Sequence, residues 1–281
     1  MREEKRFIGL ELAGAKNQKT SVAVIEYYPQ AQKIFLRDLF DKITPHDAHQ
    51  SPDEALVELI LSFKPSLSQV GVNVPFSLPA CITCQRKDCP YPPHCTVSEV
   101  KWMRETLKSA QHDKPHRVKE ITPYTQRAAE IWIRTHVLPH LPEESAFEID
   151  EALGGNKAPL TARMNFLTRH LQGVECLEVW PKLSVAILAE LTSISPRVIS
   201  SYRHLETGAE SREEILSTWV EDQQIFIYDR DFKKLCQSLP AFDSFVCAYT
   251  ALLSFLGKCQ KPPRGFPSHA SWVHFPKLNE E

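Results

Sequence analysis

The chain has 281 residues, 42% of them hydrophobic, and a formal charge of −2 at neutral pH. That is enough apolar material for one substantial core, with or without an insertion. The near-balanced charge argues against a strongly basic, non-specific nucleic-acid binder and confines any basic groove to a local patch.

The opening, MREEKRFIGLELAG, is charged and then apolar for too few residues to make a signal peptide. The longest apolar stretch, FVCAYTALLSFLG, is too short to span a bilayer. The expected setting is the cytoplasm, with no membrane partner.

Residues 7–14 (FIGLELAG) read as a strand. Side chains alternate across a strand, so Glu11 shares a face with Gly9 and Ala13, while Ile8, Leu10 and Leu12 point the other way. The small neighbours leave room beside the carboxylate. Residues 20–28 and 32–38 continue as a meander of three strands. Ser51-Pro52-Asp53-Glu54 starts a helix that runs to about Phe63. The strand at 69–76 (QVGVNVPF) sets Val70, Val72 and Val74 against Gly71 and Asn73, and Pro75 ends it. A cysteine-rich segment at 81–95 and a basic helix to about 112 come next. Thr122-Pro123 starts a helix through YTQRAAEIWIRTHV, followed by a strand at 146–149, a helix at 159–171 and the strand VECLEVW at 174–180. In that last strand Leu177 and Val179 oppose Cys176, Glu178 and Trp180.

The final third is mostly helical, with starts at Pro181 and Ser195-Pro196. In it Phe242, Phe245, Val246, Tyr249, Leu252, Leu253 and Leu256 make a core stripe at helical spacing. The expected architecture is α/β. A mixed sheet, with three antiparallel strands and then parallel ones, is flanked by helices in a single domain over 1–281. Residues 81–120 form a cysteine-rich and basic insertion within it.

Three predicted core strands each carry one acid or amide: Glu11, Asn73 and Glu178. Asp243 flanks the helical stripe. Buried carboxylates are costly unless paired, hydrogen-bonded or bound to metal. A set of them suits Mg²⁺ or Mn²⁺, since hard cations prefer oxygen ligands and metal-dependent phosphodiesterases use carboxylates to hold them. Each residue also has an ordinary reading. Glu11 can pair with an arginine, Asp243 can sit in a first helical turn for the dipole, and Glu178 can be a strand-end acid.

The segment CITCQRKDCPYPPHC has the spacing C-x2-C-x4-C-x5-C at Cys81, Cys84, Cys89 and Cys95. Four thiolates so close can surround Zn²⁺ or, as the second choice, hold an iron–sulfur cluster; His94 can replace one of them. Reduced cysteines in an extended loop are the alternative. Beyond them Lys101, Arg104 and Lys108 are spaced to share one helical face. With His112, Lys114, His116, Arg117 and Lys119 they make the most basic stretch of the chain. It reads as a nucleic-acid clamp or as a solvated helix face.

The series FIGLELAG, VGVNVPFSLP, TPYTQRAAE, GGNKAPLTAR, LEVWPKLSV and FDSFVCAYTAL resembles the DUF429 family, predicted nucleases with a ribonuclease H-like fold. The resemblance spans residue 7 to about 257. It places the family's Gly-Ile-Asp on Gly9-Leu10-Glu11, its apolar-Asp-x-Pro on Val72-Asn73-Val74-Pro75, its Glu-Val-x-Pro on Glu178 to Pro181, and its last-helix Asp on Asp243. Two departures stand out. Glu11 keeps the charge but moves it out by one methylene, and Asn73 removes a charge. The resemblance implies a metal-dependent phosphodiesterase acting on DNA or RNA, with Glu11, Asn73, Glu178 and Asp243 catalytic. The alternative is a weakened module that binds nucleic acid or a protein partner. Arg127 either pairs with Glu130 or faces a phosphate. Lys157 and Arg163 either approach a phosphate backbone or belong to a loop and helix start. An ATP-dependent phosphotransferase fits poorly, because the chain has only nine glycines and no G-x-x-x-x-G-K-[ST] element.

Overall fold

The computed structural model describes residues 4–14, 20–111, 120–145, 147–155, 157–204 and 206–278. Among them the strands are β1 (Lys5–Glu11), β2 (Ser21–Tyr28), β3 (Lys33–Phe40), β4 (Leu67–Val72), β5 (Cys176–Val179), β6 (Ile225–Phe226) and β7 (Val273–His274). They form one sheet in the order β6-β3-β2-β1-β4-β5-β7. β1, β2 and β3 are antiparallel neighbours; β4, β5 and β7 extend the sheet in parallel from β1, and β6 lies parallel to β3. The expected antiparallel-then-parallel sheet is therefore present.

The helices are α1 (Pro52–Ser62), α2 (Ala80–Thr83), α3 (Tyr91–His94), α4 (Ser98–Gln111), α5 (Ala128–His136), α6 (Lys157–Leu167), α7 (Pro181–Leu191), α8 (Pro196–Ser201), α9 (Gly208–Gln223), α10 (Asp229–Gln237) and α11 (Leu239–Phe255). α1 starts where its sequence says it should. The Glu54 amide donates to the Ser51 hydroxyl at 3.2 Å, and the Ser51 amide donates to the Glu54 carboxylate at 2.7 Å.

Alternation along the strands divides the core into two layers. Ile8, Leu10, Val22, Val24, Val70, Val72 and Val74 pack with Leu56 and Ile60 of α1 and with Leu160, Met164 and Leu167 of α6. Phe7, Ala23, Ile25, Leu177 and Val179 pack on the other face with α7, α9 and α11. A third, small cluster joins Ala80 and Cys95 to α4 and α5 through Val100, Met103, Leu107, Ala128 and Ile131. No single helix among the described residues is long and apolar enough to cross a membrane.

Several local expectations are corrected. α5 begins at Ala128 rather than at Thr122-Pro123, because residues 122–126 close a turn in which the Gln126 amide donates to the Thr122 carbonyl at 2.8 Å. Residues 147–149 are not a strand, and residue 146 lies outside the described residues. α11 starts four residues before Asp243, with Ser238 as its cap, so Asp243 is not in the first turn and the helix dipole does not explain it. The space beside Gly9 is not left open either. α11 fills it so closely that a Cβ on Gly9 would run into the backbone of Ser244 and Ala248, and one on Gly71 into the Cys247 carbonyl.

Gly9→Ala and Gly71→Ala should therefore each push α11 off the sheet and cost about 1–3 kcal/mol or more. Gly154→Ala, whose Cβ would meet only ordinary contacts, should change little. Urea unfolding of the three variants checks this; equal stabilities would show that α11 is not held at that distance.

Candidate functional site

Glu11 is the last residue of β1, and Asn73 follows β4, its parallel neighbour. This is where the sheet changes from antiparallel to parallel, the place at which open α/β sheets form a crevice beyond the strand ends. The Asn73 side-chain amide donates to Glu11 Oε2 at 2.6 Å. Lys157, the first residue of α6, donates from Nζ to both the backbone carbonyl and Oδ1 of Asn73, each at 3.2 Å. The amide thus links a carboxylate to an ammonium.

α11 completes the group from the opposite layer. Because Gly9 and Gly71 admit its backbone, it sets Asp243, 1% exposed, close enough to Glu11 for the two charges to interact. Asp243 Oδ2 accepts from Arg203 Nη1 at 2.7 Å, whereas Oδ1 is buried without a hydrogen-bond partner. Burial raises the Glu11 carboxyl from 4.5 to about 7; Asp243 adds to the rise, and Lys157, Asn73 and Arg203 oppose it. Asp243 is also raised, mainly by burial, against the pull of Arg203.

Glu178 is not brought into this group. In the parallel register it stands opposite Val72, so alternation sends its side chain to Val72's side of the sheet and away from Asn73 and Glu11. Its Oε1 accepts from Arg127 Nη2 at 2.7 Å and from the Trp180 indole at 3.0 Å. Its Oε2 accepts from Arg127 Nη1 at 2.8 Å and from the Phe76 amide at 3.0 Å. Arg127, only 1% exposed, also donates from Nε to Glu130 at 2.7 Å. Burial would lower the Arg127 guanidinium, but Glu178 and Glu130 raise it overall. Arg127 is therefore the centre of a buried ion triad rather than a substrate contact.

The other expected binding residues separate as well. Arg163 donates to Asp53 at 2.6 and 2.9 Å and to the Ala13 carbonyl at 2.5 Å, tying α6 to α1 and to the chain after β1. Arg104 leaves the face it was expected to share with Lys101 and Lys108. It turns to the carbonyls of Pro92 and Cys95, at 2.6 and 2.8 Å. Lys101 and Lys108 are exposed, with Lys101 3.7 Å from Glu105. His112, Lys114, His116, Arg117 and Lys119 lie outside the described residues.

Cys81, Cys84, Cys89 and Cys95 all line one cavity of about 120 Å³. Among the described residues, however, no group of three or more His, Cys, Asp or Glu side chains is arranged to hold a metal ion. A second cavity, of about 890 Å³, lies over the outer strands between Tyr28, Phe35, Arg37 and Tyr228 and shares no residue with the acidic pair.

No family model, curated protein or solved structure matches the chain. The site must be judged on its own geometry.

Arg203 and the bond from Trp180 to Glu178 are the parts that the sequence did not disclose. Arg203 follows a short helix with no motif around it. The Arg127–Glu130 spacing suggested a pair, but nothing local to either residue points across the fold to Glu178.

Two outcomes follow. The folded chain holds the Glu11 proton more tightly than the unfolded chain, so this contribution to stability is complete below 4.5 and is lost as pH rises through about 7. In chelator, wild type should lose stability over that window relative to Glu11→Gln; parallel stability–pH curves from urea unfolding would contradict this. Arg127→Met strands two buried carboxylates and should cost about 3–5 kcal/mol, measured in the same way.

Proposed function

We propose that the chain is a ribonuclease H-like, metal-dependent phosphodiesterase of the DUF429 kind, acting on DNA or RNA in the cytoplasm. The strand order β3-β2-β1-β4-β5, with an antiparallel start, supports the fold reading. One observation carries the functional reading: two carboxylates lie close enough to interact at the sheet's switch point, and Asp243 Oδ1 is buried there without a partner.

Such a pair suits a hard cation. A carboxyl raised to about 7 by burial and by another acid is in a place that a positive ion would stabilise. Glu11 and Asp243 would hold Mg²⁺ or Mn²⁺, with the Asn73 amide oxygen as a neutral third ligand. When bound, the ion supplies a Lewis acid for the phosphate and acidifies a water for attack. Glu178 takes no direct part; clasped by Arg127, it holds the Phe76 amide and so fixes the chain that leaves β4. Lys157 and Arg203 put positive charge beside the acidic pair, where the oxygens of a phosphodiester would rest. Exposed Lys101 and Lys108 remain available for more distant phosphates.

The second reading, a binding module with a weakened site, is favoured by Asn73 itself. Its amide satisfies Glu11, and Lys157 occupies its oxygen, so the group is partly closed by its own residues.

Labelled single-stranded, duplex and branched DNA and RNA, incubated with Mg²⁺ or Mn²⁺, separate the two. On the nuclease reading, cutting needs metal, falls on the order of 10²-fold or more in Glu11→Ala and Asp243→Ala, and rises in Asn73→Asp. Cutting that appears only in Asn73→Asp, or binding without cutting by wild type, supports the module. Cutting that survives both alanine variants rejects the site.

A further inference from the structure

The cysteine segment has more built structure than an extended loop needs. α2 and α3 are single turns, and each brings cysteines to the same cavity. Cys81 lies within α2 and Cys84 ends it; Cys89 lies just ahead of α3 and Cys95 ends it. Arg104 braces the second turn through the Pro92 and Cys95 carbonyls, and Arg86 spans the segment to donate to Thr96 Oγ1 at 2.8 Å.

Apolar packing does not account for this shape. Only Ala80 and Cys95 of the segment enter a core cluster, while Cys84, Cys89 and Tyr91 are exposed. Tyr91 also holds φ at 62°, a left-handed conformation that is strained for a bulky residue. A segment with little buried apolar surface and a strained turn needs another source of order, which a cross-linking metal supplies.

We propose that Cys81, Cys84, Cys89 and Cys95 bind one Zn²⁺ as four thiolates in a structural centre. Zinc takes four sulfur ligands tetrahedrally, and the C-x2-C and C-x4-C steps here fall within the usual spacing of its ligands, with the last step, C-x5-C, one residue longer. Binding releases the four thiol protons to solvent and leaves a net charge of −2 on the centre, half of which Arg86, lining the same cavity, offsets. The four side chains are not arranged around an ion in the structure, so binding would require the thiols to turn into the cavity that all four already line, with Cys84 and Cys89 exposed.

The centre also has a structural consequence. The Cys81 amide donates to the Pro123 carbonyl at 2.9 Å, and Glu99 of α4 accepts from the Ala128 amide at 3.4 Å. Zinc would therefore fasten the segment and α4 against the start of α5, beside Arg127. This inference uses none of the residues that the phosphodiesterase reading needs, so either can fail without the other.

Full-length protein, purified under reducing conditions without added metal, is assayed for zinc, iron and sulfide by elemental analysis. The expected result is one zinc per chain, at least tenfold less in Cys84→Ser and in Cys89→Ser, and unchanged in Glu11→Ala. Because both cysteines are exposed, circular dichroism of the variants should remain that of the folded chain. Cobalt exchanged for zinc should give the intense visible bands of a tetrahedral thiolate site, weakened in both serine variants. Zinc content that both variants retain, failure of the reduced protein to take up zinc or cobalt, or iron and sulfide in place of zinc would each overturn the proposal.

Discussion

The arrangement depends on how closely one helix backbone approaches two strands. Gly9 in β1 and Gly71 in β4 leave a trough in the sheet, and α11 lies in it. An apolar helix against a sheet normally keeps the side chains of both between the two backbones. Here the glycines remove one layer, so a polar residue on α11 lands beside the strand ends instead of above them. Asp243 reaches Glu11 for that reason, and the buried charge that results is a product of the packing. The same approach places Ser244 Oγ 3.2 Å from Ser21 Oγ, which fixes the helix along its axis.

Two buried polar networks lie at the ends of the central strands, one built by this approach and one around Arg127, and they differ in completeness. In the Arg127 triad, Glu178 accepts four hydrogen bonds and Glu130 takes the Arg127 backbone and side chain together with the Ala152 amide at 3.1 Å. A fully satisfied network of this kind rigidifies its surroundings. The group around Glu11 is different: one Asp243 oxygen has no partner, and burial drives both acids toward the neutral form. Incomplete satisfaction at the end of the central strands is what separates a candidate site from a structural ion cluster. By that criterion Glu178, for all its acid chemistry, belongs to the scaffold.

What the sequence discloses follows from how local each signal is. Glu11 and Asn73 were legible because a polar residue that interrupts a period-two apolar pattern stands out, and both strands lie at the sheet's centre. Asp243 was legible from its place beside a helical stripe, although the start of α11 was not. Lys157 was found through a glycine turn followed by a basic residue. The fate of Glu178 was hidden, because parallel register, which decides the face it shares, is set by contacts far apart in sequence. β6 and β7 were hidden for a related reason: two-residue strands carry no periodicity and exist only because a neighbour offers an edge. Arg104 shows the limit of helical spacing. Its position on α4 was read from the pattern, but two carbonyls in the cysteine segment decide where it turns.

Position 73 governs the chemistry open to the Glu11 group. With an amide there, two carboxylates meet the two cations Lys157 and Arg203, and the residues roughly neutralise one another. A divalent ion entering such a group must displace cationic partners or share oxygens with them, so the protein's own side chains compete with the metal. An aspartate at 73 would add a negative charge and remove the donor that now satisfies Glu11, tipping the balance toward an external cation. The hydrogen bond from Asn73 to Glu11 is thus both the element that stabilises the metal-free site and the element that limits its affinity for metal. The raised pKa of Glu11 survives that bond because an amide donor offsets only part of the cost of burial beside Asp243. That residual cost remains for a bound cation to relieve.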